Sequence, residues 1–327
     1  MGNETNIGRV YSERTRVALS KRLDIADNVF TDSDLGNPAL AQAEILFSTW
    51  GMPALSETDI TRFMPNLKIV FYAAGSVRHF AQAFLNAGVR VVSAWSANAI
   101  PVAEFTFSQI ILSNKGYFQA AAMAKSIGYA GMRDYSMSFP GTYGCATGII
   151  GVGMVGRRLI EMLNACGIQT RILVFDPFLT DEAAESLNVK KCPLDELFKQ
   201  CQTISNHLAD NAQTKNMLGY PLFSLMKQNA TFINTGRGAQ VVEADLIRAL
   251  REFPGRTALL DVTDPEPPEP IHPFHSMPNV FLSSHIAGSM GDETHRMGGY
   301  MLEELERYIA VVPLRYEVVQ SMFVSMA

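Results

Sequence analysis

The segment Thr147-Gly148-Ile149-Ile150-Gly151-Val152-Gly153-Met154-Val155-Gly156 constrains the fold of this 327-residue chain more than any other. A short apolar run leads into three glycines spaced G-x-G-x-x-G, and an amphipathic stretch, Arg157 to Cys166, leads out. That order reads as strand, tight turn and helix in immediate succession. Gly151 permits the turn, Gly153 lets the backbone approach a pyrophosphate, and Gly156 lets the helix pack on the strand. The helix N-terminus offers free N–H groups and the positive end of its dipole to phosphates. Asp176 follows Gly156 by 20 residues, at the end of the run Gln169 to Phe175. A carboxylate there accepts hydrogen bonds from ribose hydroxyls and repels a 2′-phosphate, so the reading favours NAD over NADP.

Around this unit, short apolar runs alternate with helical patterns, the signature of parallel sheets covered by helices. Glu44 to Ser48, Leu67 to Tyr72 and Val89 to Ser93 read as strands of a first domain. A further short strand near Arg9-Val10-Tyr11 is expected there, followed by a helix from Ser12 to Leu23. A second series comprises Thr147 to Ile150, Gln169 to Phe175, Thr203 to Ser205, Ala230 to Ile233, Ala258 to Leu260 and Val280 to Leu282. Six strands in one series match a doubly wound dinucleotide-binding fold. Pro101 suits the first turn of a helix that continues through Val102 to Ser113, which places the domain crossing near residue 98. After Gly291, the residues Met297, Met301, Leu305, Tyr308 and Ile309 share one helical face, expected to pack back on the first domain. The expected architecture is therefore α/β with two doubly wound parallel-sheet domains. Residues 1–98 and the returning 289–327 form one, and residues 99–288 form the dinucleotide-binding one.

Composition narrows the functional class. The formal net charge is −5 with scattered Lys and Arg, which gives no basic surface for nucleic acid. No apolar run approaches the ~18 residues that span a bilayer. The N-terminus lacks the basic and apolar regions of a signal peptide, and Asn6 stands where a myristoylation start wants Ser or Thr. Cys145, Cys166, Cys192 and Cys201 fit no zinc spacing and no disulfide framework. A soluble cytoplasmic protein with reduced thiols and no metal is expected.

Three later strands end in polar segments: Asn234-Thr235-Gly236-Arg237-Gly238, Asp261-Val262-Thr263-Asp264-Pro265-Glu266-Pro267, and Ser283-Ser284-His285-Ile286-Ala287-Gly288-Ser289. Ligands of open α/β sheets bind beyond the carboxyl ends of the strands, so all three face the cofactor crevice. Asp264 and Glu266 compete there for the role of acid/base partner.

From about Ala43 onward the chain resembles the D-isomer-specific 2-hydroxyacid dehydrogenases, a family of D-lactate, glycerate and phosphoglycerate dehydrogenases and hydroxypyruvate reductases. The glycine loop, Asn-Thr-Gly-Arg-Gly, Asp-Val-x-x-x-Glu-Pro and His-Ile-Ala-Gly occur in the family's order, and Val102 to Thr106 resembles its helix at the domain crossing. The resemblance implies a flavodoxin-like substrate domain and a Rossmann NAD-binding domain. It implies Arg237, Glu266 and His285 as catalytic residues. The family's glutamate stands five residues after the strand-end Asp, and Asp261 plus five is Glu266. It further implies NAD contacts at Ala74, Thr106, Gly151, Gly153, Met154, Val155, Gly156, Asp176, His207, Leu208, Thr235, Gly236, Arg237, Asp261, His285, Ala287 and Gly288. Substrate contacts are implied at Ala74, Gly75, Ser76 and Arg237, and the position of Trp50 and Met52 just after the first-domain strand Glu44 to Ser48 adds these two as an expected apolar wall for the substrate's C3 group. The substrate is a small 2-hydroxy or 2-keto acid, and the oligomer a homodimer through the NAD-binding domain, with helix Val102 to Ser113 at its surface.

The chemistry asks for those residue types. Reducing a 2-keto acid needs a cation for the carboxylate, a polarised carbonyl and a proton donor for the developing alkoxide. Arg237 supplies a planar fork of donors, His285 the proton, and Glu266 a partner for the other imidazole nitrogen. Departures from the family pattern are Ser76-Val77-Arg78 after the first domain's Gly75, Ser284 for the proline before His285, and Ala209 for the proline after His207-Leu208. None removes a group the reaction needs. The alternative on the same fold is an NAD-sensing, corepressor-like binding protein, against which the lack of a long disordered tail weighs. A formate-dehydrogenase-like reading is disfavoured by the carboxylate of Glu266, since those relatives carry an amide there.

Overall fold

The computed structural model describes residues 1–324. Its strands, in chain order, are β1 (Ile45–Ser48), β2 (Ile69–Tyr72), β3 (Arg90–Ser93), β4 (Ala146–Ile150), β5 (Arg171–Phe175), β6 (Lys190–Lys191), β7 (Thr203–Asn206), β8 (Thr231–Asn234), β9 (Thr257–Leu260), β10 (Val280–Leu282) and β11 (Glu317–Val318). The described chain divides into two compact units, residues 1–99 with 289–324, and residues 100–288.

In the first unit β1, β2 and β3 pair in parallel, and β11 closes the β3 edge antiparallel. Alternate side chains of β2 enter opposite cores: Val70 and Tyr72 join Leu46, Phe84 and Val91, while Ile69 and Phe71 join Val92, Met297, Met301 and Leu305. Burial on both faces explains why these strands read as continuous apolar runs. The last three residues of that second set lie on helix Thr294–Ile309, which covers this sheet. The strand expected at Arg9 to Tyr11 does not form. Helix Glu4–Val10 occupies the segment, started by Asn3, whose side chain accepts the Asn6 N–H, and Ser12 then caps helix Glu13–Ser20.

The second unit is a doubly wound sheet of all-parallel strands in the order β10-β9-β8-β7-β4-β5-β6. Ile150, Leu173, Ile204, Phe232 and Leu260 face one core, and Ile149, Val174, Ile233 and Leu259 the other. Each such fully buried side chain contributes ~2 kcal/mol of transfer free energy. Strand β6 adds to the six expected. Its two lysines carry no apolar signal, and charge is suited to an exposed sheet edge. The chain reverses direction across the sheet between β4 and β7, and the carboxyl ends of these two strands diverge there into a crevice.

Pro101 lies inside helix Trp95–Asn114 rather than in its first turn. The helix begins earlier because Trp95 to Ala99 already follow helical geometry, with the Asn98 N–H bonded to Ala94 O. Proline lacks the N–H that would bond the carbonyl one turn back, so the ladder is interrupted at this point.

Candidate active site

The carboxyl end of every long strand in the second unit carries one of the expected residues: Gly151 after β4, Asp176 after β5, His207 after β7, Thr235 after β8, Asp261 after β9 and His285 three residues beyond β10. Parallel pairing puts them on one edge of the sheet.

The glycine turn is shaped by close backbone approach. Gly151 has φ +87°, and a Cβ on Gly156 would lie 2.1 Å from the Gly151 carbonyl oxygen. Beside Gly153, by contrast, a Cβ would meet nothing within 4 Å. No side chain caps helix Met154–Ala165, which starts at this point. Open space in front of uncapped N–H groups fits a pyrophosphate held by backbone alone. Asp176 ties the turn to the next strand, with Oδ2 accepting from Val152 N–H at 2.7 Å and Oδ1 from Phe178 N–H at 2.8 Å. Each carboxylate oxygen keeps a second lone pair for a ribose hydroxyl. Met154 is exposed and Leu208 is buried in the sheet core.

His207 sits between two hydroxyls, Ser205 Oγ at 2.8 Å from Nε2 and Thr235 Oγ1 at 3.2 Å from Nδ1. Thr235 in turn reaches Thr106 Oγ1 at 3.3 Å. Desolvation pushes the His207 imidazole down to about 3 from its ordinary 6.5. The folded state therefore binds the neutral ring, and the stability this represents is complete above pH 6.5 and drains away as pH falls toward about 3. Thermal melts of the apo protein across that interval should show a fall in Tm that is shallower in His207→Asn, which has no titrating group. Parallel slopes in the two proteins would contradict it.

Arg237 is placed by its flanking glycines. A Cβ on Gly238 would lie 2.0 Å from the Thr263 backbone, so only glycine lets the Arg237 turn press against the loop that follows β9. Behind the turn stands a buried amide network the sequence did not reveal. Asn206 Nδ2 donates to Asn234 Oδ1 at 3.0 Å and to Gln240 Oε1 at 2.6 Å, and Gln240 Nε2 donates to the carbonyls of Leu208 and Ala209. Asn234 also accepts from Gly236 N–H and donates to Arg237 O. The guanidinium makes one hydrogen bond to Gly236 O, and among the described residues it forms no ion pair. Its charge is thus uncommitted among the described residues.

His285 Nδ1 lies 2.6 Å from Glu266 Oε1. The side chains are 49% and 41% exposed, so the pair contributes little to stability, roughly 0–1 kcal/mol. Its consequence is orientation. A carboxylate only accepts, so Nδ1 carries the proton and Nε2 is left as the nitrogen that gains and loses one. His285 has φ +56°, a left-handed backbone that costs a non-glycine residue about 1–2 kcal/mol. The buried Asp261 holds it there. The Asp261 carbonyl accepts the His285 N–H, Oδ1 accepts from Ile286 N–H and Ser283 Oγ, and Oδ2 accepts from Ala287 N–H. Asp261, expected as a cofactor contact, also positions the histidine loop, and among the described residues its Oδ2 accepts only the one N–H. Among the described residues Arg237 makes no hydrogen bond or ion pair with Glu266 or His285, and Gly238 packs its turn against Thr263 in the loop that leads to Glu266.

The remaining expected residues belong to the first unit. Ala74 is buried, and the carbonyls of Ala74 and Gly75 accept from Ser93 Oγ, which fixes the loop that continues into Ser76. Trp50 is partly buried against both cores of that unit. Met52 is 3% exposed and packs in the core that includes Leu46, Leu55 and Phe84. Among the described residues no group of His, Cys, Asp and Glu is arranged to hold a metal ion, and no helix is long and apolar enough to cross a membrane.

Comparison with known proteins adds independent findings. The family described as D-isomer specific 2-hydroxyacid dehydrogenase, NAD binding domain, matches residues 108–287, more than half of the chain. The D-3-phosphoglycerate dehydrogenase of Methanocaldococcus jannaschii is 29% identical over 77% of this chain and 47% of its own length. The glyoxylate reductase of Aeropyrum pernix is 29% identical over 76% of this chain and 75% of its own. The chain thus spans about half the length of the phosphoglycerate relatives it matches. The apo structure of D-mandelate dehydrogenase from Rhodotorula graminis superposes with a TM-score of 0.81 at 17% identity, covering 95% of this chain and 94% of that one. At that identity the likeness concerns the fold.

Proposed function

Since the chain belongs to the D-isomer specific 2-hydroxyacid dehydrogenase family, we propose that it interconverts a small 2-keto acid and the D-2-hydroxy acid with NAD as hydride carrier. The single observation that carries this reading is the 2.6 Å contact between His285 Nδ1 and Glu266 Oε1 at the carboxyl edge of a sheet whose glycine turn fits a dinucleotide. When bound, reduced nicotinamide supplies the hydride that adds to C2. Arg237 holds the substrate carboxylate and draws on the carbonyl oxygen. His285 Nε2 delivers the proton that the new alkoxide takes up, and in the reverse direction removes it from the hydroxyl. Glu266 keeps the ring turned with Nε2 outward. Asp261 and the Asn206–Asn234–Gln240 network keep the loops of His285 and Arg237 in register.

In the first unit, the loop Ala74-Gly75-Ser76 would cradle a carboxylate with its backbone N–H groups, an assignment that rests on the family resemblance, and Trp50, two residues beyond β1, would line the wall for the substrate's C3 group. A homodimer through the helix that contains Val102 to Ser113 belongs to the same proposal. Its support is exposed apolar surface at Leu112 and, just beyond, at Tyr117 and Tyr129, the last 85% exposed. The free thiols of all four cysteines fit a cytoplasmic setting. Chiral analysis of the product formed from NADH and a 2-keto acid tests the reading: the D-isomer alone is expected, and an L or racemic product contradicts it.

A further inference from the structure

The loop from Asp264 to His272 carries Glu266, yet much of it is open to solvent, with Ile271 90% exposed. Such a loop has little packing of its own to hold a carboxylate against an imidazole. Both of its ends meet one side chain. Glu243, the first residue of helix Glu243–Glu252, accepts the Asp264 N–H through Oε1 at 2.9 Å. Its other oxygen, Oε2, lies 3.2 Å from His272 Nε2. The Glu243 and His272 side chains are only 13% and 18% exposed, so neither contact is a loose surface pair. The tautomer of His272 follows from its second contact. Nδ1 accepts the Phe274 N–H at 3.4 Å, which leaves the proton of the neutral ring on Nε2, pointing at Glu243. Glu243 therefore faces two donors and needs two acceptor oxygens. Further bonds lie inside the anchors, from Thr263 Oγ1 to Pro265 O and from His272 N–H to Glu269 O.

We propose that Glu243, clamped to Asp264 at one end of this loop and His272 at the other, is a positioning residue for Glu266 and through it for His285. The inference rests on the catalytic roles given above to Glu266 and His285. An amide is the discriminating replacement. Glu243→Gln keeps the shape but has a single acceptor, so whichever way it turns, its NH2 faces either the Asp264 N–H or the His272 Nε2–H and one anchor is lost. His272→Asn is the second variant. It retains a side chain able to accept the Phe274 N–H but is too short to reach Glu243, so it releases the far anchor alone.

Three readouts are taken on both variants. Amide exchange of the peptide spanning residues 262–275 should quicken by about tenfold or more, while that of the sheet strands stays at the wild-type rate. The Cε1–H resonance of His285, assigned through its loss in His285→Gln, should move toward its position in Glu266→Gln. With a 2-keto acid that the wild type reduces, kcat should fall by roughly 10- to 100-fold with NADH affinity unchanged. A wild-type His285 resonance in both variants overturns the proposal, as does a loosened loop with unaltered kcat. Failure of the wild type to turn over any 2-keto acid would count against the dehydrogenase reading. The exchange and resonance measurements, which need no turnover, would still decide the role of Glu243.

Discussion

His285→Gln is expected to lower turnover of a 2-keto acid by about 10³-fold while leaving NADH affinity close to that of the wild type. Glutamine matches the imidazole in length and can still meet Glu266, but it has no nitrogen that exchanges a proton at neutral pH. General acid–base contributions of this kind are typically 10²- to 10⁴-fold. Affinity should survive because the contacts that fit the dinucleotide lie in the Gly151 turn, at Asp176 and at the ends of β7 and β8. The left-handed backbone at residue 285 is a further reason to choose glutamine over a β-branched residue, which would add strain to the loss of chemistry. Stopped-flow turnover alongside NADH fluorescence titration checks both halves. Equal losses in affinity and turnover would show that His285 serves mainly to bind.

Gly156→Ala is expected to reverse that pattern, with NADH affinity falling by about 100-fold or more. A single methyl group would stand 2.1 Å from the Gly151 carbonyl oxygen, well inside van der Waals contact. The obstacle is backbone, so no rotamer relieves it. Either the helix Met154–Ala165 lifts from the sheet or the glycine turn shifts, and both carry the uncapped N–H groups away from the pyrophosphate. Overpacking of this kind costs about 1–3 kcal/mol, and tenfold in affinity corresponds to about 1.4 kcal/mol. Titration of NADH into the variant, with a thermal melt as control for folding, is the check. Unaltered affinity would mean that the glycine turn does not hold the cofactor.

These two positions were legible in the sequence for a physical reason. The Gly151–Gly156 turn is local chemistry at fixed spacing, bracketed by a strand and a helix whose periodicities are strong. His285 stands in a short segment at a strand end, where side chains of open sheets meet ligands. What escaped sequence reading depends on contacts between distant positions. The family resemblance marks Asp261 as a cofactor contact, and only the folded loop shows that its oxygens also hold residues 283 to 287. The partners of Glu243, Asp264 and His272, lie more than 20 residues away. Asn206 and Gln240 stand 34 residues apart, and their mutual satisfaction cannot be read from either run. Locally weak signals failed as well. Lys190–Lys191 pairs at a sheet edge through backbone alone, and the helix Glu4–Val10 owes its start to the Asn3 cap rather than to an apolar stripe. The burial of Met52 among Leu46, Leu55 and Phe84 likewise depends on contacts that its place after a strand does not reveal.

The most direct test mixes the purified protein with NADH and a panel of 2-keto acids, glyoxylate, hydroxypyruvate, pyruvate and longer or branched analogues, and follows the nicotinamide absorbance with NADPH in parallel. The account predicts loss of the NADH signal with at least one member and slower loss with NADPH, because a carboxylate at the Asp176 position of such a fold repels a 2′-phosphate. NADH bound tightly yet left unoxidised across the whole panel would contradict it, and would make the Glu266–His285 pair part of a binding protein rather than of a dehydrogenase.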